Sequence, residues 1–233
     1  MRLVVAVFAA LILAMPGRVQ AAGGAYAVDD ADIGKPWTCQ VENWVSTATS
    51  RDFIGMISPA CVVTIGLPIE FTAIYQRSST SGDWTAAYGG AAKIVPIEND
   101  RFAFSLVGQI AADSLTKTTS YFVNMPLTFK FGKNARIHAN AGWLYDGRVG
   151  IDYATGGVGF EYDFAPKFSV QGEIYLQGGN QRPALPRTIH EPRTQLGLRF
   201  MPVKTVDLDF IYGQNLTGRG AHWLTLGLTV RSQ

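Results

Sequence analysis

Apolar and polar residues alternate with a period of two through most of this chain, and this pattern constrains its fold more than any other feature. Between 157 and 164, apolar residues hold the even positions, and glycine or acidic residues hold the odd ones. Similar alternation recurs between 168 and 176, 195 and 200, 206 and 212, and 224 and 230. Such alternation is typical of β-strands with one apolar and one polar face. The sequence therefore predicts an all-β chain.

The alternating segments and the turn residues between them predict twelve strands. They span 36–46, 57–66, 68–78, 83–95, 101–112, 118–131, 135–145, 151–164, 167–178, 192–202, 205–214 and 221–231. The odd-numbered connections are the longer ones, at 47–56, 79–82, 113–117, 146–150, 179–191 and 215–220. An even-stranded outer-membrane barrel with both termini in the periplasm has long extracellular loops and short periplasmic turns in this order. A soluble β-sandwich has no reason to sort its loops in this way.

Aromatic residues on the apolar face gather near the predicted strand ends. One group flanks short turns: Phe102, Phe129, Phe131, Tyr162, Phe164, Phe168 and Phe200. A second group flanks long loops: Tyr75, Trp84, Tyr121, Trp143, Tyr145 and Tyr212. Two aromatic girdles are typical of a barrel that crosses a bilayer. The pattern predicts a closed antiparallel transmembrane β-barrel of about twelve strands with periplasmic N- and C-termini. The alternative is a soluble barrel or sandwich whose apolar face points inward.

The composition agrees with a folded, exported chain. Of its 233 residues, 47% are apolar and 16% are charged, which excludes a disordered protein. Residues 1–21 have a basic start, an apolar stretch and a small-residue end, and we predict a signal peptide cleaved after Ala21. A membrane anchor is the weaker alternative, because the apolar stretch is too short to span a bilayer as a helix. We expect a periplasmic tail at 22–35 and the barrel at 36–231.

Several short motifs resemble a known family. They are Val28-Asp29-Asp30-Ala31, Cys39-Gln40-Val41-Glu42-Asn43-Trp44, Leu67-Pro68-Ile69-Glu70 and Leu127-Thr128-Phe129-Lys130-Phe131-Gly132. These stretches resemble the proteobacterial outer-membrane barrels grouped as the MetA-pathway phenol-degradation family, which are porin-like proteins. The resemblance covers about the first two thirds of the chain. It implies an outer-membrane channel or transporter for small molecules, apolar or aromatic ones included.

The two cysteines lie at equal distances from the middle of the first predicted loop. Hairpin symmetry therefore places Cys39 opposite Cys61 on the first two strands. Because an exported chain can be oxidised, we predict a Cys39–Cys61 disulfide. The alternative is two free thiols in an apolar environment.

The polar face predicts a charged half of the lumen near the short turns. Its members are Glu70, Lys93, Lys130, Arg136, Glu161, Asp163, Arg199, Asp207 and Asp209. We expect Arg199 to lie opposite Asp207, and Arg136 near Glu161 and Asp163. We favour a structural charge network, since interior charges need partners. An ion-selective constriction is the alternative.

Near the long loops, the same face becomes aromatic. Its members are Trp44, Phe122, Tyr153, Tyr175 and Trp223. Such rings offer apolar contact together with a polar tip, so we hypothesise a vestibule for an apolar or aromatic solute. The alternative is that the rings only support the loops.

No catalytic or cofactor site is predicted. His138 and Asn140 share a face, but it points into the lumen, and no serine is placed to use His138 as a base. The three histidines lack metal-ligand spacing. We interpret Asp29, Asp30 and Asp32 as a solvated tail, and Gly89-Gly90 and Gly156-Gly157 as residues that ease barrel curvature.

The predicted function is passive passage of a small solute through a bacterial outer membrane. The alternatives are a closed structural or adhesion barrel that binds a partner through its loops, and a secreted soluble β protein. The expected partners are outer-membrane lipid, a small-molecule solute and the machinery that assembles barrels. The nearly neutral charge gives no electrostatic argument for nucleic acid.

Overall fold

A computed structural model of the chain describes residues 25–49, 51–80, 82–179, 192–217 and 221–232. The predicted signal peptide at 1–21 lies outside the described residues, as does the predicted loop at 179–191 apart from Gly179. Within the described part of the chain, no helix is long and apolar enough to cross a membrane.

Twelve antiparallel strands form one closed barrel. They are β1 (Cys39–Ala48), β2 (Phe53–Ile65), β3 (Leu67–Thr80), β4 (Asp83–Glu98), β5 (Phe102–Asp113), β6 (Thr119–Phe131), β7 (Ala135–Asp146), β8 (Ile151–Ala165), β9 (Phe168–Gly179), β10 (Arg193–Val203), β11 (Val206–Asn215) and β12 (His222–Arg231). Each strand pairs with its neighbours in sequence, and β1 pairs with β12 to close the sheet. The predicted twelve-stranded barrel is confirmed.

The even number of strands brings both ends of the barrel wall to one rim. We call this rim, where Cys39 and Arg231 lie, the terminal end, and the opposite rim the loop end. Connections at the terminal end are short: 66, 99–101, 132–134, 166–167 and 204–205. The first connection is shorter than its predicted span of 47–56, because β1 and β2 continue to Ala48 and Phe53. The backbone turns there with a positive φ of 70° at Arg51.

The two faces of the sheet point as the alternation predicted. Phe160 and Leu198 face outward and are 44% and 42% exposed, whereas Glu161 and Arg199 face the lumen and are 7% and 2% exposed. A soluble β-barrel would have the opposite arrangement. An apolar outer face is suited to contact with the hydrocarbon of a lipid bilayer. Closure of the barrel pairs the backbone N–H and C=O groups of every strand, which hydrocarbon requires.

Aromatic side chains meet in pairs near both rims. At the terminal end, the ring centroids of Phe102 and Phe129 are 5.4 Å apart, and those of Phe168 and Phe200 are 5.0 Å apart. Toward the loop end, three further outward pairs form: Tyr75–Tyr88, Tyr121–Tyr145 and Phe53–Trp84. Amphipathic rings at two levels are typical of the two membrane interfaces.

The predicted disulfide is present. Cys39 and Cys61 are register partners on β1 and β2 and are bonded to each other. Both lie on the outward face near the terminal end, where the barrel wall begins. The bond therefore links the first residue of β1 covalently to β2.

A charge on the outward face tests the assignment of the faces. Leu198→Arg should lower the free energy of unfolding from lipid vesicles by about 2–4 kcal/mol, because it places a cation among acyl chains. Urea titration of the refolded protein measures this change. Leu115→Arg is the matched control, since Leu115 lies in the connection between β5 and β6 and is already 68% exposed. Equal stability of the two variants would contradict an outward, lipid-facing Leu198.

Candidate functional site

Residues 25–33 lie inside the barrel and form what we call the lumen segment. Ala31 is fully buried, and Asp30 and Asp32 are 5% and 3% exposed. The expectation that these aspartates belong to a solvated tail is therefore wrong. The chain returns from the lumen to the wall at Trp37, whose N–H donates to the carbonyl of Val62 at 2.8 Å.

The carboxylate of Glu173 on β9 binds one part of the lumen segment. Its two oxygens accept hydrogen bonds from the backbone N–H groups of Ala27 at 3.1 Å and Val28 at 2.8 Å. Gln195 donates to Glu173 at 2.7 Å and accepts from the indole N–H of Trp223 at 2.8 Å. A chain of hydrogen bonds therefore connects the segment to the aromatic half of the lumen.

Two uncharged side chains bind the middle of the segment. The amide of Asn140 on β7 accepts from the N–H of Asp29 at 2.8 Å and donates to the Asp29 carbonyl at 2.7 Å. Asn124 on β6 donates to Asn140 at 2.9 Å and so helps to orient this amide. The hydroxyl of Thr128 accepts from the N–H of Ala31 at 2.8 Å. The segment is thus recognised through its backbone as well as its side chains.

Lys93 on β4 binds two consecutive aspartates of the segment. Its ammonium group donates to the carboxylate of Asp29 at 3.1 Å and to the backbone carbonyl of Asp30 at 2.7 Å. It also lies 3.4 Å from a carboxylate oxygen of Asp30. Hydrogen bonds between charged groups are stronger than those between neutral groups, and burial away from water strengthens the electrostatic attraction further.

Asp32 lies between two further basic side chains. It is 3.2 Å from the ammonium group of Lys130 and 3.3 Å from the guanidinium of Arg136. Each base also has a carboxylate from the wall, Glu98 at 3.1 Å from Lys130 and Glu161 at 2.7 Å from Arg136. The expected proximity of Arg136 and Glu161 is thus present, and the segment supplies a carboxylate that the wall does not.

Glycines on the lumen face make room for the apolar side chains of the segment. A Cβ atom at Gly157 would lie 2.6 Å from the side chain of Val28, and one at Gly159 would lie 3.3 Å from it. The hydroxyl of Tyr26 lies against Gly197 in the same way. Gly157, which we expected to ease barrel curvature, therefore also accommodates the segment.

Little space remains between the segment and the wall. A cavity of about 30 Å³ lies beside Tyr26 and Asp30 and is lined on the wall side by His138, Gln171 and other residues. This volume holds about one water molecule. At this level the lumen is filled.

All nine residues of the predicted charge network face the lumen, but one pairing differs from the prediction. The register partner of Arg199 is Asp209 and not Asp207, because the hairpin turns at 204–205 and is not centred on Val203. Arg199 forms two bonds to Asp209, at 2.7 and 3.0 Å, and its Nη1 lies 3.6 Å from Asp207. A β-bulge between Phe200 and Val203 shifts the ladder by one residue, and without it Arg199 would lie opposite position 210.

The five predicted vestibule aromatics also face the lumen, in the half nearer the loop end. Tyr153, Tyr175 and Trp223 are buried. The guanidinium of Arg193 lies 5.1 Å from the centre of the Tyr175 ring. The indole N–H of Trp44 is buried and has no hydrogen-bond partner among the described residues.

The histidines of the described chain do not form a metal or catalytic cluster. His138 lies 3.0 Å from the hydroxyl of Thr128 inside the lumen, and His222 contacts Tyr212 near the loop end. His190 lies outside the described residues. Within the described ranges, no group of three or more histidine, cysteine, aspartate or glutamate side chains could hold a metal ion.

Comparison with known proteins places the fold among outer-membrane porins. Residues 10–232 match the family model described as Uncharacterised conserved protein UCP029691. A search of the curated proteins finds no match. The expected resemblance is confirmed for porin-like barrels in general, whereas the MetA-pathway phenol-degradation family itself is not confirmed.

Three solved structures illustrate the likeness. The NanC porin aligns with a TM-score of 0.65 at 8% identity, over 82% of this chain and 98% of that one. The KdgM porin in complex with disordered oligogalacturonate gives 0.62 at 11% identity, over 82% and 98%. The COG4313 outer membrane channel from Pseudomonas putida F1 gives 0.62 at 12% identity, over 94% and 100%. At such identities the likeness shows the fold alone.

Removing the buried guanidinium of the charge network should destabilise the barrel. Arg199→Met leaves Asp207 and Asp209 without the base that lies between them, and the expected loss is about 3–5 kcal/mol in the free energy of unfolding. Urea unfolding in detergent measures it. Lys133→Met is the control, because Lys133 is exposed in the turn between β6 and β7. A loss no larger than that of the control would show that the buried ion pair adds nothing to stability.

Proposed function

We propose that this chain, which belongs to the family Uncharacterised conserved protein UCP029691, is an outer-membrane channel for the passive passage of small solutes. The observation that carries the proposal is the width of the closed barrel, whose twelve-stranded wall encloses more space than its own side chains fill. Barrels of eight strands fill their interior with wall side chains, whereas wider barrels leave space. Here the space between the walls of a twelve-stranded barrel is taken up by a segment outside the sheet. Movement of that segment would open a path.

The aromatic half of the lumen supports small apolar or aromatic molecules as the solute. Rings such as Tyr153, Tyr175 and Trp223 provide flat apolar surface with polar groups at their edges. The indole N–H of Trp44 could donate to a hydroxyl or carbonyl of a solute, since it has no partner in the described chain. The sequence resemblance to porin-like phenol-degradation proteins points to the same class of solute.

The order of the connections supports an outer-membrane location with both termini in the periplasm. Short turns lie at the terminal end, as in barrels whose periplasmic turns are short. The N-terminal sequence supports export by a signal peptide. In this setting the partners are outer-membrane lipid, a small solute and the barrel assembly machinery, and we expect no enzymatic activity.

A closed barrel that binds a partner through its loops is the second candidate. The position of the lumen segment favours it, because among the described residues the cavity beside Tyr26 and Asp30 has a volume of only about 30 Å³. The two candidates differ in one property, namely whether the lumen segment leaves its position.

Planar bilayer recordings should separate these candidates. A variant that lacks residues 22–33 should show discrete conductance steps at least severalfold larger than those of the full chain, since the lumen loses its filling. Gly159→Val should act in the same direction, because its side chain would displace Val28. Gly108→Val is the control, since a Cβ at Gly108 meets no atom within 4 Å. Silence of the folded deletion variant would favour the closed structural barrel.

Liposome swelling should test the class of solute. In the deletion variant, neutral aromatic solutes of phenol size should enter faster than aliphatic polyols of equal size. The double substitution Trp44→Ala and Trp223→Ala should reduce this preference severalfold, because it removes lumen aromatic surface. Trp143→Ala is the matched control, since Trp143 faces outward and is 42% exposed. An unchanged preference would contradict a role for the vestibule.

A further inference from the structure

The lumen segment is bound through its backbone as well as its side chains, as a protein binds a short peptide. Four of its backbone N–H groups, at Ala27, Val28, Asp29 and Ala31, donate to side chains of the wall. Its carbonyls at Asp29 and Asp30 accept from wall side chains. These contacts satisfy backbone groups of a segment that belongs to no sheet and bends at 27–28 and 31. The wall therefore recognises the backbone N–H and C=O groups of a peptide.

The side chains of the segment add selectivity for acidic residues at defined positions. Asp29 and Asp30 meet Lys93, and Asp32 meets Lys130 and Arg136. Val28 occupies the space above lumen-facing glycines. A ligand of this site consequently needs an apolar residue followed by carboxylates in one short chain.

The wall's own carboxylates exclude a simple anion as the preferred ligand. Glu161 and Glu98 already pair with Arg136 and Lys130, and Glu70 is the register partner of Lys93. Without the segment, the three bases would still lie near three acids. A small anion therefore gains little net attraction, and the backbone hydrogen bonds must supply the rest of the affinity.

We propose that the lumen wall is a binding site for a short acidic peptide, and that the lumen segment is its resident, exchangeable ligand. The backbone hydrogen bonds that join this stretch of chain to β2 are those around Trp37 and Thr38. Residues 25–33 continue covalently into β1 through 34–38, and a separate peptide with the same chemistry fits the same contacts. The proposal rests on the proposed function, because release of the lumen segment is the step that would open the channel. It deepens that function by naming a class of ligand for the lumen.

Binding of a free peptide to the emptied barrel tests the proposal. The probe is a fluorescently labelled peptide with the sequence of residues 25–32, AYAVDDAD, and the readout is anisotropy in detergent. The variant that lacks residues 22–33 should bind it at least tenfold more tightly than the full chain, whose site is filled. A peptide with asparagine in place of the three aspartates should bind the variant at least tenfold more weakly. Free aspartate should compete poorly.

A matched pair of wall substitutions locates the binding site. In the deletion variant, Asn140→Ala should weaken peptide binding about tenfold, because it removes two hydrogen bonds to the backbone at Asp29. Asn43→Ala should leave binding unchanged, since Asn43 lies on the outward face of β1. Equal effects of the two substitutions, or equal binding of the acidic and neutral peptides, would overturn the proposal.

A second variant guards against misfolding of the deletion. The full chain with Asp29, Asp30 and Asp32 all changed to Asn retains its segment but loses the ion pairs that hold it. It should bind the acidic peptide at least tenfold more tightly than the unchanged chain, and absence of this gain in the folded variant would also overturn the proposal. Peptide binding without conductance would contradict the channel alone. Conductance of the deletion variant without peptide binding would contradict only the peptide site.

Discussion

The need to pair every backbone N–H and C=O group in hydrocarbon is the constraint on which this structure depends. Unpaired groups are costly where no water can replace the partner, so a membrane-spanning sheet must close. Pairing of β1 with β12 removes the last free edges. Closure with twelve strands then creates an interior that the wall alone does not fill. The polar lumen face and the segment inside it both follow from that geometry.

The segment inside the barrel is held differently from the wall. Strands are joined by regular backbone ladders, whereas residues 25–33 are held by individual carboxylate, amide, hydroxyl and ammonium groups. Each such contact stabilises by a modest amount because water offers an alternative partner. The wall can therefore remain intact while contacts to the segment are exchanged for contacts to water or to another molecule. The barrel wall can thus stay folded while the lumen segment leaves and returns.

Period-two patterns made most of the wall predictable. Strand positions, the directions of both faces and the Cys39–Cys61 bond follow from alternation and from symmetry about the first hairpin. The pairing of Arg199 with Asp209 in place of Asp207 does not, because alternation fixes the face of a residue but not the position of the turn, which lies at 204–205 and sets the register. The segment itself was missed for a related reason. A segment that is bound by side chains of several strands shows no regular alternation of apolar and polar residues. Its aspartates are therefore indistinguishable in sequence from those of a solvated tail.

One signal in the sequence could have pointed to the segment. Gly157, Gly159 and Gly197 all have lumen parity, although small residues on the inner wall of a wide barrel are not needed for closure. Such positions indicate that something approaches the wall closely. The glycines complement the apolar side chains of the segment, and the basic residues of the wall complement the aspartates at 29–32. Only the strand register shows that these groups lie close together.

The large sequence separations of these contacts have a consequence for the order of biogenesis. The hydrogen bond from Ala27 to Glu173 joins residues 146 positions apart, and that from Asp29 to Asn140 joins residues 111 apart. Residues 27 and 28 can therefore dock only once β9 has formed. Loop closure over such distances is entropically expensive and slow. Docking of residues 25–33 accordingly depends on strands that lie far along the chain, β7 and β9.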